Sequence, residues 1–268
     1  MDLSAAFNGE RKGIPMQMTG NTILITGGGS GIGRGLAEKF HAAGNRVIIT
    51  GRNAARLADV VAVNQGMIAV PLDITDGDAV TAFAAKLAAD YPELNVIVNN
   101  AGMMAYEHMV DAPGNVADAE ATIITNLLGP IRLTSALLPH LLKQGEATVI
   151  NVSSGLAFVP LAATPAYSAT KAGLHSWSMA IREQLKGTSV RVVELAPPYV
   201  QTELTGTDQA SDPNAMPLDE FIDEVMALFA AHPEAEEIIV ERCKPLRYAA
   251  ENGNLKQVFE MLAGAFQH

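Results

Sequence analysis

From Thr22 onward, short β-branched runs alternate with amphipathic stretches of helical period, and this alternation restricts the chain to one kind of architecture. The candidate strands are residues 22–26 (TILIT), 46–50 (RVIIT), 67–71 (MIAVP), 95–99 (NVIVN), 147–152 (ATVINV) and 190–195 (VRVVEL). Helical patterns lie between them near 31–43, 54–65, 78–90, 116–142 and 166–186. Strands that are apolar on both sides belong to a parallel sheet with helices on each face. Gly44 and Gly187 stand where the first and fifth helices should be capped. The expectation is a single doubly wound α/β domain over residues 18–268, with six to seven parallel strands. Residues 203–220 (ELTGTDQASDPNAMPLDE) break the rhythm with turn formers and are expected to be a substrate lid. A helix near 217–231, the short apolar run EIIV at 237–240 and a helix near 254–266 follow.

Composition narrows the partners. The net charge of −11 argues against nucleic acid and against an anionic membrane, both of which reward basic surfaces. Cys243 is the only cysteine, so no disulfide forms within the chain and a cysteine-ligated metal is not expected. The first residues contain no apolar run of signal-peptide length, and no stretch approaches the ~18–20 apolar residues of a membrane span. A cytoplasmic protein is expected. Residues 1–17 read as a flexible leader, with Met16 or Met18 as the natural start.

The segment TGGGSGIG (26–33) follows the first strand and opens the first helix. Glycines there allow positive φ and let the backbone approach a pyrophosphate, which rests on the helix N-terminus. About 20 residues later, an acid ending the second strand would accept the ribose hydroxyls of NAD. Thr50, Gly51, Arg52 and Asn53 stand there instead. Arg52 suits the 2′-phosphate of NADP, with Arg34 or Arg56 as alternates, so NADP(H) is favoured over NAD(H). Asp73 either accepts from the adenine amino group or, like Asp76, caps a helix. Asn99-Asn100-Ala101-Gly102 ends the fourth strand, on the carboxyl edge where such sheets bind ligands.

Tyr167 and Lys171 lie four residues apart in YSATK, on one face of a helix. An ammonium held there favours tyrosinate, and bringing a phenol pKa of about 10 toward neutrality takes roughly 4 kcal/mol. Such a phenol can protonate a carbonyl as hydride arrives. Ser154, at the end of the fifth strand, can donate to the same carbonyl, with Ser153 as the alternative.

TGGGSGIG, NNAG, Asn126, Ser154 and YSATK, in this order, resemble the short-chain dehydrogenase/reductase family in its compact, single-domain form, over residues 19 to about 205. The stretches MTGNTILITGG (18–28), SGLAF (154–158) and APPYVQT (196–202) resemble its DltE-like oxidoreductase branch. The resemblance implies a Rossmann-type sheet and interconversion of a ketone or aldehyde with an alcohol. Tyr167 would be the acid/base and Ser154 would polarise the carbonyl. Lys171 would lower the tyrosine pKa and bond the nicotinamide ribose, and Asn126 would hold a water in a proton relay from Lys171. Hydride would pass directly from the nicotinamide, so no metal is required. The implied cofactor contacts are Gly27, Ser30, Gly31, Ile32 and Gly33 in the loop, then Arg52, Asp73 and Ile74. Asn100, Ala101 and Gly102 follow, with Tyr167, Lys171, Pro197, Val200 and Thr202. Two departures from the family stand out. Pro197-Pro198 replaces the usual Pro-Gly and stiffens the backbone, and EIIV is a shortened substitute for the seventh strand. The second puts the family's tetramer in doubt and leaves a homodimer through the helices carrying Asn126 and Tyr167.

The pocket is expected between the loop after Gly102, residues 155–165 and the lid. Its lining would be Met103, Met104, Phe158, Val159, Pro160 and Tyr199, suited to a largely apolar carbonyl or alcohol. Glu107, His108 and His175 are read as ordinary surface or core residues, and Trp177 as packing or interface. The rivals are an NAD-preferring dehydrogenase of a hydroxylated metabolite and a non-catalytic dinucleotide-binding regulator.

Overall fold

The computed structural model describes residues 17–111, 114 and 116–265, so the expected leader lies outside the described residues except for Gln17. Seven strands form one sheet: β1 (Thr22–Thr26), β2 (Arg46–Thr50), β3 (Ile68–Ala69), β4 (Leu94–Asn99), β5 (Ala147–Val152), β6 (Val190–Ala196) and β7 (Glu237–Ile239). Their order is β3-β2-β1-β4-β5-β6-β7 and every neighbouring pair is parallel. The helices are α1 (Gly31–Ala42), α2 (Ala54–Val63), α3 (Gly77–Asp90), α4 (Ala117–Ile123), α5 (Gly129–Leu141), α6 (Pro165–Gln184), α7 (Leu218–Ala231), α8 (Lys244–Arg247) and α9 (Leu255–Ala265).

Side-chain alternation along each strand builds a separate core on each face of the sheet. Ile23 and Ile25 pack with Leu36, Phe40, Leu57 and Phe221 on one face. Leu24, between them, packs with Val80, Leu87, Leu133 and Leu137 on the other. Full burial of each such side chain contributes about 1.5–3 kcal/mol, an upper figure relative to an extended chain. The doubly wound α/β reading therefore holds, with the sheet at seven strands.

Three boundaries differ from expectation, each for a local reason. β3 is two residues long because Pro71 has no N–H to donate, although Val70 N still donates to Ile49 O (3.0 Å). The helix expected over 116–142 is interrupted by a π turn at Ile124–Leu128. Pro130 cannot supply the N–H that an unbroken α-helix would give to the Asn126 carbonyl. The continuous run Ala117–Leu141 is long and apolar enough to cross a membrane, yet Leu133, Leu137 and Leu141 are core residues. Lastly, the irregular segment ends at Pro217, where α7 begins. Gly44 (φ +89°) and Gly187 (φ +82°) follow α1 and α6 as expected, and EIIV is a short β7 paired to β6.

Candidate active site

Strand order reverses between β1 and β4, so the chain leaves their carboxyl ends in opposite directions and a crevice opens there. Thr26 braces it. Its Oγ1 accepts from Asn100 N (3.0 Å) and Ala101 N (2.9 Å), while Asn100 Nδ2 donates to Thr26 O (2.9 Å). Gly27 and Gly31 hold φ of +68° and +51°. A Cβ on Gly33 would lie 2.4 Å from Gly27 O, so only glycine lets α1 begin this close to the loop. Ser30 caps α1 without a side-chain hydrogen bond, leaving the first-turn N–H groups for an anion. Ile32 packs partly on the core, and Thr202 leans over Gly31, with Cγ2 3.3 Å from where a Cβ would stand. This cradle fits the pyrophosphate of a dinucleotide.

Beyond β2, Arg52 is exposed and shares an open depression of ≈ 370 Å³ with Pro71, Leu72, Asp73, Ala79 and Phe83. The alternates are already paired, Arg34 with Glu38 (2.8 Å) and Arg56 with Glu203 (2.9 Å). Asp76 takes the cap of α3, accepting from Asp78 N and Ala79 N. Asp73 instead accepts from Thr75 N (2.9 Å) and Thr75 Oγ1 (2.7 Å). The Thr75 backbone N–H, with the Arg52 charge adding to it, holds the Asp73 carboxyl below its usual range. Ile74 is buried against Gly129, and Val200 is buried beside Met216, so neither side chain is free for a ligand.

Ser154, Tyr167 and Lys171 meet at the carboxyl end of β5. Ser154 Oγ accepts from Leu156 N (3.1 Å), and its side chain faces the Tyr167 phenol and pulls the phenol pKa down. Ser153 Oγ is buried with no hydrogen-bond partner, so Ser154 is the serine that reaches the phenol. Lys171 Nζ donates to Val152 O (2.8 Å) and sits 5.5 Å from the Tyr167 ring centroid. The expected depression of the phenol pKa is not found. Burial pushes Tyr167 up to about 12, against the pull of the Ser154 hydrogen bond. Burial also pulls Lys171 down to about 8, with Glu194 opposing. The lysine spends a hydrogen bond on the backbone of β5, and at the phenol desolvation outweighs the pull of Ser154.

Asn126 is fixed by three hydrogen bonds. Its Oδ1 accepts from Met103 N (2.8 Å), and its Nδ2 donates to Met103 O (2.8 Å) and to Thr170 Oγ1 (3.3 Å). The amide therefore anchors the loop after Gly102. Gly102 completes the cluster, since a Cβ there would lie 3.4 Å from Asn126 Oδ1 and 3.8 Å from Lys171 Nζ.

Of the expected lining, Val159 is fully buried with Ala249 and Val258. Phe158 stacks edge-on against His175 (4.8 Å) and carries the Arg247 guanidinium on its ring (4.8 Å). Both residues seat the C-terminal segment instead of the pocket, because the 3-10 turn Gly155–Ala157 folds the chain back. Tyr199 remains near the mouth, with exposed Tyr106 beside it, and donates to Asp212 (3.0 Å). The segment expected to be a lid is held down at several points. Gln209 Nε2 donates to Val200 O (2.8 Å) and Thr202 Oγ1 (3.1 Å), and Gln201 N donates to Met216 O (2.8 Å). Pro197 lies below it, its carbonyl accepting from Gly155 N (2.8 Å).

Sequence reasoning passed over a charged network behind the site. Glu194 of β6 is wholly buried and its Oε2 lies 2.7 Å from His175 Nδ1. An acid between apolar neighbours in the run VVELA (192–196) is the signal for it. Ligand atoms of His175, Glu194 and Glu237 lie within 4.8 Å of one another. Arg247 claims Glu237 through two bonds (2.7 and 3.1 Å), which makes the cluster an ion-pair network. Glu107 was passed over as well; its Oε1 accepts from Ala166 N (2.8 Å), capping α6 from the opposite loop. A larger cavity of ≈ 930 Å³ opens at the amino ends of β5 and β6, away from every expected site residue.

Residues 21–213 match the family model described as short chain dehydrogenase. The chain is 44% identical over 189 residues to an uncharacterized oxidoreductase, DltE, of Bacillus subtilis, covering 70% of this chain and 75% of the relative. It is 37% identical over 200 residues to serine 3-dehydrogenase of Agrobacterium fabrum, covering 71% and 78%. Among solved structures, a short chain dehydrogenase from Burkholderia cenocepacia in complex with NADP superposes with a TM-score of 0.77. It is 26% identical, with 91% of this chain and 99% of that one covered.

Proposed function

Because the chain belongs to the short-chain dehydrogenase family of oxidoreductases, we propose that it is an NADP(H)-dependent carbonyl reductase, reversible as an alcohol dehydrogenase. The observation that carries this reading is the cluster of Ser154, Tyr167 and Lys171, with the Lys171 Nζ 5.5 Å from the Tyr167 ring centroid and fixed by Val152 O. A bound nicotinamide dinucleotide would supply the hydride. Tyr167, kept a phenol by burial, holds the proton that the substrate oxygen takes up. Ser154 orients that oxygen and polarises it. The Lys171 ammonium stabilises the charge left on the phenolic oxygen, in surroundings where little water screens it. Asn126 fixes the loop that closes one side of the site. The substrate is a small, largely apolar ketone, aldehyde or alcohol that enters past Met104, Tyr106 and Tyr199, under residues 203–217 acting as a lid. Exposed Ile123 and Met179, near Asn126 and on α6, support a homodimer through those helices, and the protein is assigned to the cytoplasm.

The test is NADPH consumption over a panel of ketones and aldehydes, with NADH and Tyr167→Phe run alongside. Tyr167→Phe should lower kcat at least about a hundredfold, the scale of general acid catalysis, with NADPH affinity nearly unchanged. Turnover that survives the substitution refutes the assignment.

A further inference from the structure

Glu194 is wholly buried, and its Oε1 has no hydrogen-bond partner. A carboxylate in that position needs positive charge nearby. Arg247 does not supply it, being committed to Glu237 (2.7 and 3.1 Å) and to Glu251 (2.6 Å). Two cationic side chains remain, both on α6 and one helical turn apart. His175 bonds Glu194 Oε2 directly at 2.7 Å. Lys171 is held over the neighbouring strand by Val152 O, and Val152 pairs with Leu195, the residue after Glu194. Lys171 and His175 thus stand one turn apart on the helix that meets β6 at Glu194.

We propose that Glu194 is the buried counter-charge of Lys171 and that His175 competes for it, so that a proton taken up by His175 weakens the lysine's hold on its own. Glu194 is then a positioning residue for the reaction, acting through Lys171 without touching substrate. The other groups facing this point are Glu237 on β7, Arg247 on α8, Glu251 beyond α8, and the buried thiol of Cys243. Glu237 and Arg247 neutralise one another. Burial pushes Cys243 up to about 12, so it stays uncharged. Glu251 is exposed, which leaves one buried carboxylate between two protonatable bases. Positive charge on either base raises the cost of positive charge on the other, and each titration depends on the second group. The inference deepens the proposed function and rests on it for the place of Lys171 in catalysis.

The experiment reads both side chains in the substrate-free protein, so an absence of turnover and an absence of coupling are separate results. Lysine and histidine are isotope-labelled, and Lys171 and His175 are assigned by loss of their NMR signals in Lys171→Met and His175→Gln. In Glu194→Gln, both titration midpoints should fall, that of Lys171 by about one pH unit, as expected for loss of a nearby opposite charge. The alkaline limb of the kcat profile should move with it. In Lys171→Met, the His175 midpoint should rise, because its competitor has gone. A fall confined to His175 in Glu194→Gln overturns the proposal, since Glu194 would then serve the imidazole alone. Should Glu194→Gln not fold, an unmoved His175 midpoint in Lys171→Met overturns it equally.

Discussion

Two glycines of the phosphate loop, four positions apart, should differ sharply in their tolerance of the same substitution. In Gly33→Ala, the new Cβ would stand 2.3 Å from Asn100 Nδ2 and 2.4 Å from Gly27 O. Ordinary contacts are about 1 Å longer, and overpacking of this kind typically costs about 1–3 kcal/mol. Asn100 yields only by giving up its 2.9 Å bond to Thr26 O, which adds about 1 kcal/mol. Gly27 O is backbone within a braced turn and has nowhere to go. The sum is about 3 kcal/mol, or a fall in melting temperature of about 6–12 °C for a domain of this size. In Gly29→Ala the nearest atom would be Arg56 Cβ at 3.4 Å, an ordinary contact, at a φ that alanine accepts. That variant should melt within about 2 °C of wild type, since a compatible Gly→Ala costs nothing and trims unfolded-state entropy. Differential scanning fluorimetry and NADPH titration would be run on both, with affinity lost only in Gly33→Ala. Equal melting temperatures for the two variants would refute the reasoning, because the clash geometry is all that separates them.

Arg52→Ala should weaken NADPH binding much more than NADH binding, read by fluorescence titration; equal losses would remove Arg52 from the 2′-phosphate. Asn126→Ala unpairs Met103 N–H and C=O, at about 1 kcal/mol each, so a melting temperature about 5 °C lower is expected. Asn126→Asp should fall between, since it still accepts from Met103 N but cannot donate. Tyr167 is raised from 10.0 to about 12, so the folded state keeps a proton that the unfolded state loses over that interval. Its contribution to stability is therefore complete below pH 10 and disappears as pH rises toward 12. The wild-type minus Tyr167→Phe ultraviolet difference should accordingly show no tyrosinate below about pH 11; ionisation near 10 would contradict the dominance of burial.

What could be read in the chain was whatever repeats along it. Strand residues apolar on both faces announced the parallel sheet, and β1, β2 and β5 fell on the expected residues. Spacing on one helix brought Tyr167 and Lys171 together, and the turn after β5 brought Ser154 to them. What escaped depends on through-space competition. The phenol pKa turned on burial, which spacing along α6 does not register. Asn126 has a task as loop anchor because Met103, 23 positions away, presents both its backbone groups. Phe158 and Val159 left the pocket because α8 and α9 pack on that turn. Glu194 and His175 meet across two elements and could be joined only by the fold.

The strand order has a kinetic consequence. β1 is flanked by β2, next in the chain, and by β4, whose contacting residues lie 72 positions away. A chain emerging in order can pair β1 to β2 and β2 to β3 while the far edge of β1 stays bare, a long-range closure of the kind that slows folding and exposes a sticky strand. The brace from Thr26 to Asn100 and Ala101 spans that seam, so the nucleotide cradle is complete only once the two halves of the sheet have joined. Under the proposed function, a dinucleotide would bind the joined state and stabilise it by mass action. Cofactor abundance during synthesis would then set how often the nascent sheet closes on itself before its open edge finds another chain.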